Sequence, residues 1–545
     1  MRIAINNIKI IDVIKENIFP ASIGINNGKI LKISNHPLSA NTIINGKNKF
    51  LSPGFIDAHF HIESSNLTPF HFGEVVLRQG TSAIIADCHE ICNVAGMEGF
   101  EYFRNESKKS RIDIFLTAPS CVPASHLGTS GAKIGLNEIR KMFEYKEVIA
   151  LGEVMNFPGV INNDPEIMEK IQIAKDKGKI INGHAPKLSG NNLKKYINAG
   201  ITDDHESTNY DEMKEKLSLG MKIFLREGSA EKCPDKCYQL LNDNKDDIMF
   251  CNDDKLASDI VKSGHINFNV REAVSLGIDP VRAIRAASYN TAKYYKLDTL
   301  GCIEEGKKAN LIIYKNLQSF IPEIVIFKGK LVFHNKKIIP VETELSIPDN
   351  ILNTIKVEKI NTIPKIPYKY YNHIIEVKDG LILTKELNIQ TENEIDLDKD
   401  ILKLVVVERY QKKGNISACQ VKGFNLKKGA IASSIAHDCH NIIAVGTNDN
   451  DIISAINKII QNQGGLCVSY NDKTSIVSLP VSGLMSNKNY QQVAQELINI
   501  NEKAQSLGSD FKSPFGSLSF LALEVIPYIK LSDKGLVDVN RFTII

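Results

Sequence analysis

The chain has 545 residues, 43% hydrophobic and 24% charged, and its 66 basic side chains stand against 63 acidic ones for a net charge of +3. So long a chain should divide into two or three domains, and such balanced charge argues against a nucleic-acid or anionic-membrane partner. No apolar run is long enough to span a bilayer, the N-terminus lacks the plan of a signal peptide, and the 10 cysteines contain no CxxC pair, so a cytoplasmic protein with reduced thiols is expected.

Residues 1–51 read as short strands, with hairpin-type turns at Asn26-Asn27-Gly28 and Asn45-Gly46. A matching set returns within residues 300–345, around Ala309 to Tyr314 and Ile324 to Phe333, which predicts one small composite β-domain built from both stretches. Between them, over residues 52–299, strands alternate with helices. The predicted strands are Phe55 to His61, Thr81 to Asp87, Asp113 to Ser120, Val148 to Val154, Lys179 to Ala185, Gly200 to Glu206, Lys222 to Gly228 and Asp247 to Asp254. Eight such units over roughly 250 residues match an α/β fold, a closed TIM-like (β/α)8 barrel with its active site at the C-terminal ends of the strands. Residues 346–545 open with a connector containing Pro364 and Pro367, and continue as an extra C-terminal α+β domain. Its polar loop, residues 430–440, holds His437, Asp438 and His440 close together.

The predicted strand ends carry the chemistry. His59 and His61 are two apart, so on a strand both imidazoles face one side and can grip one ion. Later strand ends add Glu153, His184, His205 and Asp253. A lone His-x-His is weak, because strand histidines are often merely satisfied polar groups. Six nitrogen and carboxylate donors in strand order, however, suit one or two divalent transition metals and point to metal-assisted hydrolysis.

The segment Pro53 to His61 resembles the signature that opens the barrel in the amidohydrolase superfamily. Many two-metal members place a carboxylated lysine on the fourth strand. Here that strand reads Val148-Ile-Ala-Leu-Gly-Glu153, and the glutamate can bridge two ions directly. More specific stretches are Pro53 to Ser65, Asp87 to Gly96, Gly152 to Asn156, Asn182 to Pro186, Asp203 to Ser207, Leu225 to Ala230, Val405 to Val421 and Gly429 to Thr447. Together they are similar to the bacterial adenine deaminases, and the likeness spans essentially the whole chain. Two departures, Cys88 where proline is usual and Asn310 where aspartate is common, fall outside the proposed ligands.

The resemblance implies two divalent ions, iron(II) or manganese(II), with zinc allowed by the mixed ligands. His59, His61 and Asp253 are expected around one ion, His184 and His205 around the other, and Glu153 between them. A hydroxide then attacks C6 of adenine, Asp253 accepts its proton, and hypoxanthine and ammonia result. His89 and Glu90 are candidates for acid–base work. Arg226, Glu227, Ser229 and His265 are candidates for purine contact, as are His437, Asp438 and His440 if the C-terminal domain covers a barrel mouth in its own or a neighbouring chain. The family resemblance also implies a homo-oligomer. Another amidohydrolase, such as a sugar N-acetyl deacetylase, and a metal-free scaffold of hydantoinase type are the competing readings. The scaffold should have lost its ligands, and none is lost here.

Overall fold

The computed structural model describes residues 1–341 and 343–545. Its centre is a set of parallel strands whose near-continuous apolar sequences suit burial on both faces. Phe55–Phe60, Thr81–Ala86, Asp113–Ala118, Val148–Val154 and Ile180–Gly183 pair in chain order as one curled sheet. Asp203–Asp204, Lys222–Arg226 and Ile248–Cys251 form a second. The two sheets meet along both edges. Phe60 bridges Asp253, with Asp253 N donating to His59 O at 3.1 Å and His61 N to Asp253 O at 3.0 Å. On the other side Thr202 N donates to Ile181 O at 3.2 Å. The sixth strand, read from the sequence as Gly200 to Glu206, is regular only at Asp203–Asp204. There the Asp203 carboxylate accepts the Gly183 N–H at 2.9 Å, so a side chain stands in for a backbone partner.

Helices return between the strands, and their starts follow local rules. Asp164 accepts from Glu166 N and Ile167 N ahead of helix Pro165–Asp176, and Asp279 does the same ahead of Pro280–Ala286. Both combine an N-cap carboxylate with proline in the first turn. Among the described residues no helix is long and apolar enough to cross a membrane.

A nine-stranded sheet joins the two ends of this unit. Phe50–Pro53 lies parallel to Ile3–Asp12 and antiparallel to Leu311–Tyr314, then hands the chain to Phe55–Phe60. The C-terminal region builds an eight-stranded sheet in the order Lys385–Leu387, Ile374–Glu376, Ile416–Lys422, Ile401–Val407, Ile442–Gly446, Ala430–Ser433, Gly465–Tyr470, Lys473–Ser478. Helix Asp449–Asn462 covers it, and helix Tyr490–Ser506 packs against both this sheet and helix Ala257–Ser263. The stretch read as a connector has little regular structure but is not a loose link. Ile355, Val357, Ile360, Ile363 and Ile366 are buried, and Lys356 N donates to Arg409 O at 2.7 Å. Gln463 closes both backbone groups of Ile355 at 3.1 Å.

Candidate metal centre and active-site cavity

The C-terminal ends of the parallel strands bring the six expected donors together. His59 Nε2 and His61 Nε2 lie 3.0 Å apart, both facing Asp253 Oδ1 at 3.3 and 3.1 Å. Glu153 spans the rest: its Oε1 is 3.1 Å from His61 Nε2, while its Oε2 is 2.5 Å from His184 Nδ1 and 3.2 Å from His205 Nε2. All but the part-exposed His184 are buried.

The chemistry of this cluster is that of a cation site. Burial opposes ionisation of Glu153, yet His184, His205 and His61 hold its carboxyl well below the usual range. Burial likewise opposes charge on Asp253, and His59, His61 and Arg226 outweigh it. His205 is misaligned for a hydrogen bond to Glu153, so both of its ring nitrogens are buried without a partner. Unpartnered buried polar atoms are costly, and converging lone pairs with two anionic carboxylates are what a divalent ion satisfies. The tautomers agree. His61 Nδ1 lies 2.9 Å from the Asp87 carbonyl, a bond in which it donates, which turns the Nε2 lone pair inward.

Supporting groups, all but Arg226 passed over in the sequence reading, hold this geometry. Asp87 Oδ2 accepts the Glu153 N–H at 3.1 Å. Gly152 makes the approach possible, since a Cβ there would lie 2.2 Å from that same oxygen. Asp57 accepts from His59 N at 3.2 Å and from Asn252 Nδ2 at 2.9 Å, tying the first strand to the eighth. Arg226 Nη1 donates to Asp253 Oδ2 at 2.6 Å and also pairs with Glu206. A carboxylate inside an apolar strand, as in Phe-Ile-Asp57-Ala, was the available signal, because such a charge survives burial only with partners.

Behind His184 and His205 lies a fully buried ammonium. Lys216 Nζ donates to Asp204 Oδ2 at 2.9 Å, Glu212 Oε1 at 2.8 Å, Ser207 Oγ at 3.0 Å and Ala185 O at 2.8 Å. Asp204 Oδ1 in turn accepts Ala185 N at 2.9 Å, so one network fixes the residues beside both histidines. Lys216→Met would leave carboxylates buried and unpaired, a change that typically costs about 3–5 kcal/mol. Its urea midpoint should fall well below wild type, and an unchanged midpoint would contradict this role.

The remaining candidates separate into two groups. His89, Glu90, Arg226, His437 and Asp438 line one cavity with His61, Glu153, His184 and Asp253. His89 Nδ1 is 3.5 Å from Glu153 Oε1. Glu90 is gripped by the C-terminal region of its own chain, with His437 Nδ1 2.5 Å from Oε1 and His440 Nε2 against Oε2. Four residues expected at the substrate do not line this cavity. Glu227 follows Arg226 on an extended segment and so faces the other way, accepting from Tyr238 Oη at 2.8 Å. Ser229 donates to Asp259 at 2.5 Å and lines a neighbouring cavity. His265 is fully buried against Phe60 and Phe72, with Nδ1 2.9 Å from Thr81 Oγ1. His440 sits behind Glu90.

Histidine and carboxylate donors gathered at the ends of parallel strands define a metal-dependent hydrolase centre, and residues 50–228 and 227–332 match the amidohydrolase family. Residues 382–543 match the adenine deaminase C-terminal domain. Over 99% of its length the chain is 42% identical to an adenine deaminase of Dehalococcoides mccartyi, covering 95% of that protein. It is also 42% identical to one from Methanosphaera stadtmanae, over 97% of each chain, and 40% identical to one from Thermosipho africanus, covering 96% of that protein. The chain belongs to the adenine deaminase family.

Proposed function

We propose that this chain hydrolyses adenine to hypoxanthine and ammonia, in purine salvage, within the cavity between the parallel strands and the C-terminal domain. The observation that carries the reading is the junction at Glu90: beside the donor cluster, it is held by His437 and His440 from the region that matches the adenine deaminase C-terminal domain. We read the two parallel sheets as one closed (β/α)8 barrel, on the strength of their backbone contacts along both edges. The 10 cysteines are all unpaired and buried, which suits the reducing cytoplasm.

His59, His61 and Asp253 would hold one divalent ion and His184 and His205 a second, with Glu153, which faces both groups, serving the two. Iron(II), manganese(II) and zinc all suit these donors. When bound, such ions lower the pKa of water towards neutrality and so supply a hydroxide nucleophile. Asp253 would be the residue to accept its proton, with Arg226 holding Oδ2 of that carboxylate in place. Oxygen bonds to C6 of adenine, the proton passes to the exocyclic nitrogen, and the C6–N bond breaks. Water and adenine thus become hypoxanthine and ammonia. His89, beside Glu153, and Glu90, beside His89, are placed to orient the purine and steer the proton.

Burial works against charge on His437, but Glu90 outweighs it and raises the ring to about 9. His437 therefore stays protonated at neutral pH and offers the cavity a charged donor. Losing a hydrogen bond to a charged group costs about 1.5–3 kcal/mol, so His437→Phe should lower kcat/KM roughly 10- to 100-fold with metal content unchanged. Equal kcat/KM would remove His437 from substrate binding.

The activity itself is tested by assaying ammonia and hypoxanthine release from adenine, alongside N-acetyl sugars, with manganese(II)-reconstituted protein. Turnover of adenine alone is expected. Turnover confined to the sugars would place the chain's chemistry elsewhere in the amidohydrolases.

A further inference from the structure

The cavity beside the donor cluster is rich in carboxylates, and most of them are answered. Glu153 faces His184 at 2.5 Å, Asp253 accepts from Arg226 at 2.6 Å, and Glu206 pairs with the same guanidinium. Glu90 is held by His437 and His440, and Asp254 by the Ser64 hydroxyl. Glu231 is part-exposed, so water can serve it. Asp438 is the exception. It is 3% exposed, and its Oδ2 is buried without a hydrogen-bond partner among the described residues. Its Oδ1 stands 3.9 Å from His437 Nδ1, beyond hydrogen-bond reach. A buried carboxylate left so is costly, and on the wall of a ligand cavity the ligand can supply what is missing.

Burial, reinforced by the negative charge of Glu90, pushes the Asp438 carboxyl up to about 6. Above neutral pH it is therefore ionised and can only accept hydrogen bonds. Adenine carries donors in just two places, the amino group at C6 and the N–H of its five-membered ring. The amino group is the one that leaves, so it belongs at the donor cluster. The remaining ring nitrogens are acceptors, which a carboxylate repels. That leaves the ring N–H as the group that an unmet carboxylate can bind.

We propose that Asp438 recognises the ring N–H of the free purine base, accepting its hydrogen bond while C6 faces the histidines and Glu153. The proposal rests on the adenine deaminase reading and deepens it. Adenine substituted at N9 has no ring N–H in any neutral tautomer that keeps its amino group, so binding it would leave Asp438 buried and unmet. A site built to bond an N–H rejects the analogue that lacks it for this reason. The C-terminal domain thereby selects the free base over its N9-substituted forms.

Purine and 9-methylpurine, which carry no amino group to lose, are the binding probes. Calorimetry on manganese(II)-loaded protein measures both, with kcat/KM for adenine determined alongside. The wild type is expected to bind purine at least about ten-fold more tightly than 9-methylpurine. Asp438→Ala should lose most of that preference and about 10- to 100-fold in kcat/KM for adenine, at wild-type metal content. Asp438→Asn keeps the shape of the side chain and an uncharged acceptor, so its losses should be smaller, about three- to ten-fold. Wild-type protein that binds both probes equally would overturn the proposal, as would wild-type preference and kcat/KM in either folded variant. Wild-type protein inactive on adenine, with the purine preference still lost in Asp438→Ala, would refute the activity reading and leave the recognition standing.

Discussion

Glu153→Gln is expected to remove nearly all turnover, on the order of 10³-fold or more. The substitution keeps the size of the side chain but deletes the charge that faces His61 Nε2 at 3.1 Å and His184 Nδ1 at 2.5 Å. A carboxylate bridges two cations with both oxygens, whereas an amide offers one weak oxygen and an NH2 that repels a cation. Losing metal-derived charge stabilisation of several kcal/mol, with each 1.36 kcal/mol worth ten-fold, gives that figure. Folding should survive, because the backbone N–H of residue 153 still bonds Asp87 and its carbonyl still accepts from Ser120 at 2.6 Å. Steady-state ammonia release together with bound-metal analysis checks it. A variant with wild-type turnover would exclude Glu153 as the bridge.

Asp253→Asn is expected to lower kcat by about 10²–10⁴-fold, the range for removing a positioned acid–base group. Asparagine is the informative replacement for a backbone reason. Asp253 has φ of 57°, in the left-handed region that aspartate and asparagine tolerate best among side chains with a Cβ. An alanine there would add strain to the loss of chemistry. The amide loses the charge that Arg226 faces at 2.6 Å, so some rearrangement of the Arg226–Glu206 pair should accompany the loss. Rates of hypoxanthine formation across pH measure the effect, and a kcat within two-fold of wild type would rule Asp253 out as the proton acceptor.

How far the sequence could be read depended on the range of the interactions involved. The parallel strands announce themselves by apolar runs, the helix starts by Asp-Pro, and the His59–His61 pair by a period of two. These are local features, and local rules find them. His265 is the opposite case: it follows the eighth strand like a site residue, yet it packs between Phe60 and Phe72, and only the three-dimensional arrangement reveals that. Lys216 was invisible for the same reason, since its partners Asp204 and Ala185 lie on another segment. The side-chain direction of Glu227 could have been deduced, because it must oppose that of Arg226 on extended backbone. The polar loop at residues 430–440 stood out in the sequence, but its target did not. Its contact with Glu90 joins residues 347 and 350 positions apart.

The most direct measurement is the metal content of chelator-stripped protein reconstituted with manganese(II), or anaerobically with iron(II), read against ammonia release from adenine. Two ions per chain are expected for the wild type and fewer for Glu153→Gln, with activity rising in step with loading. Adenine turnover by metal-free protein, or wild-type protein that takes up no ion, would contradict a cation centre built from His59, His61, Glu153, His184, His205 and Asp253.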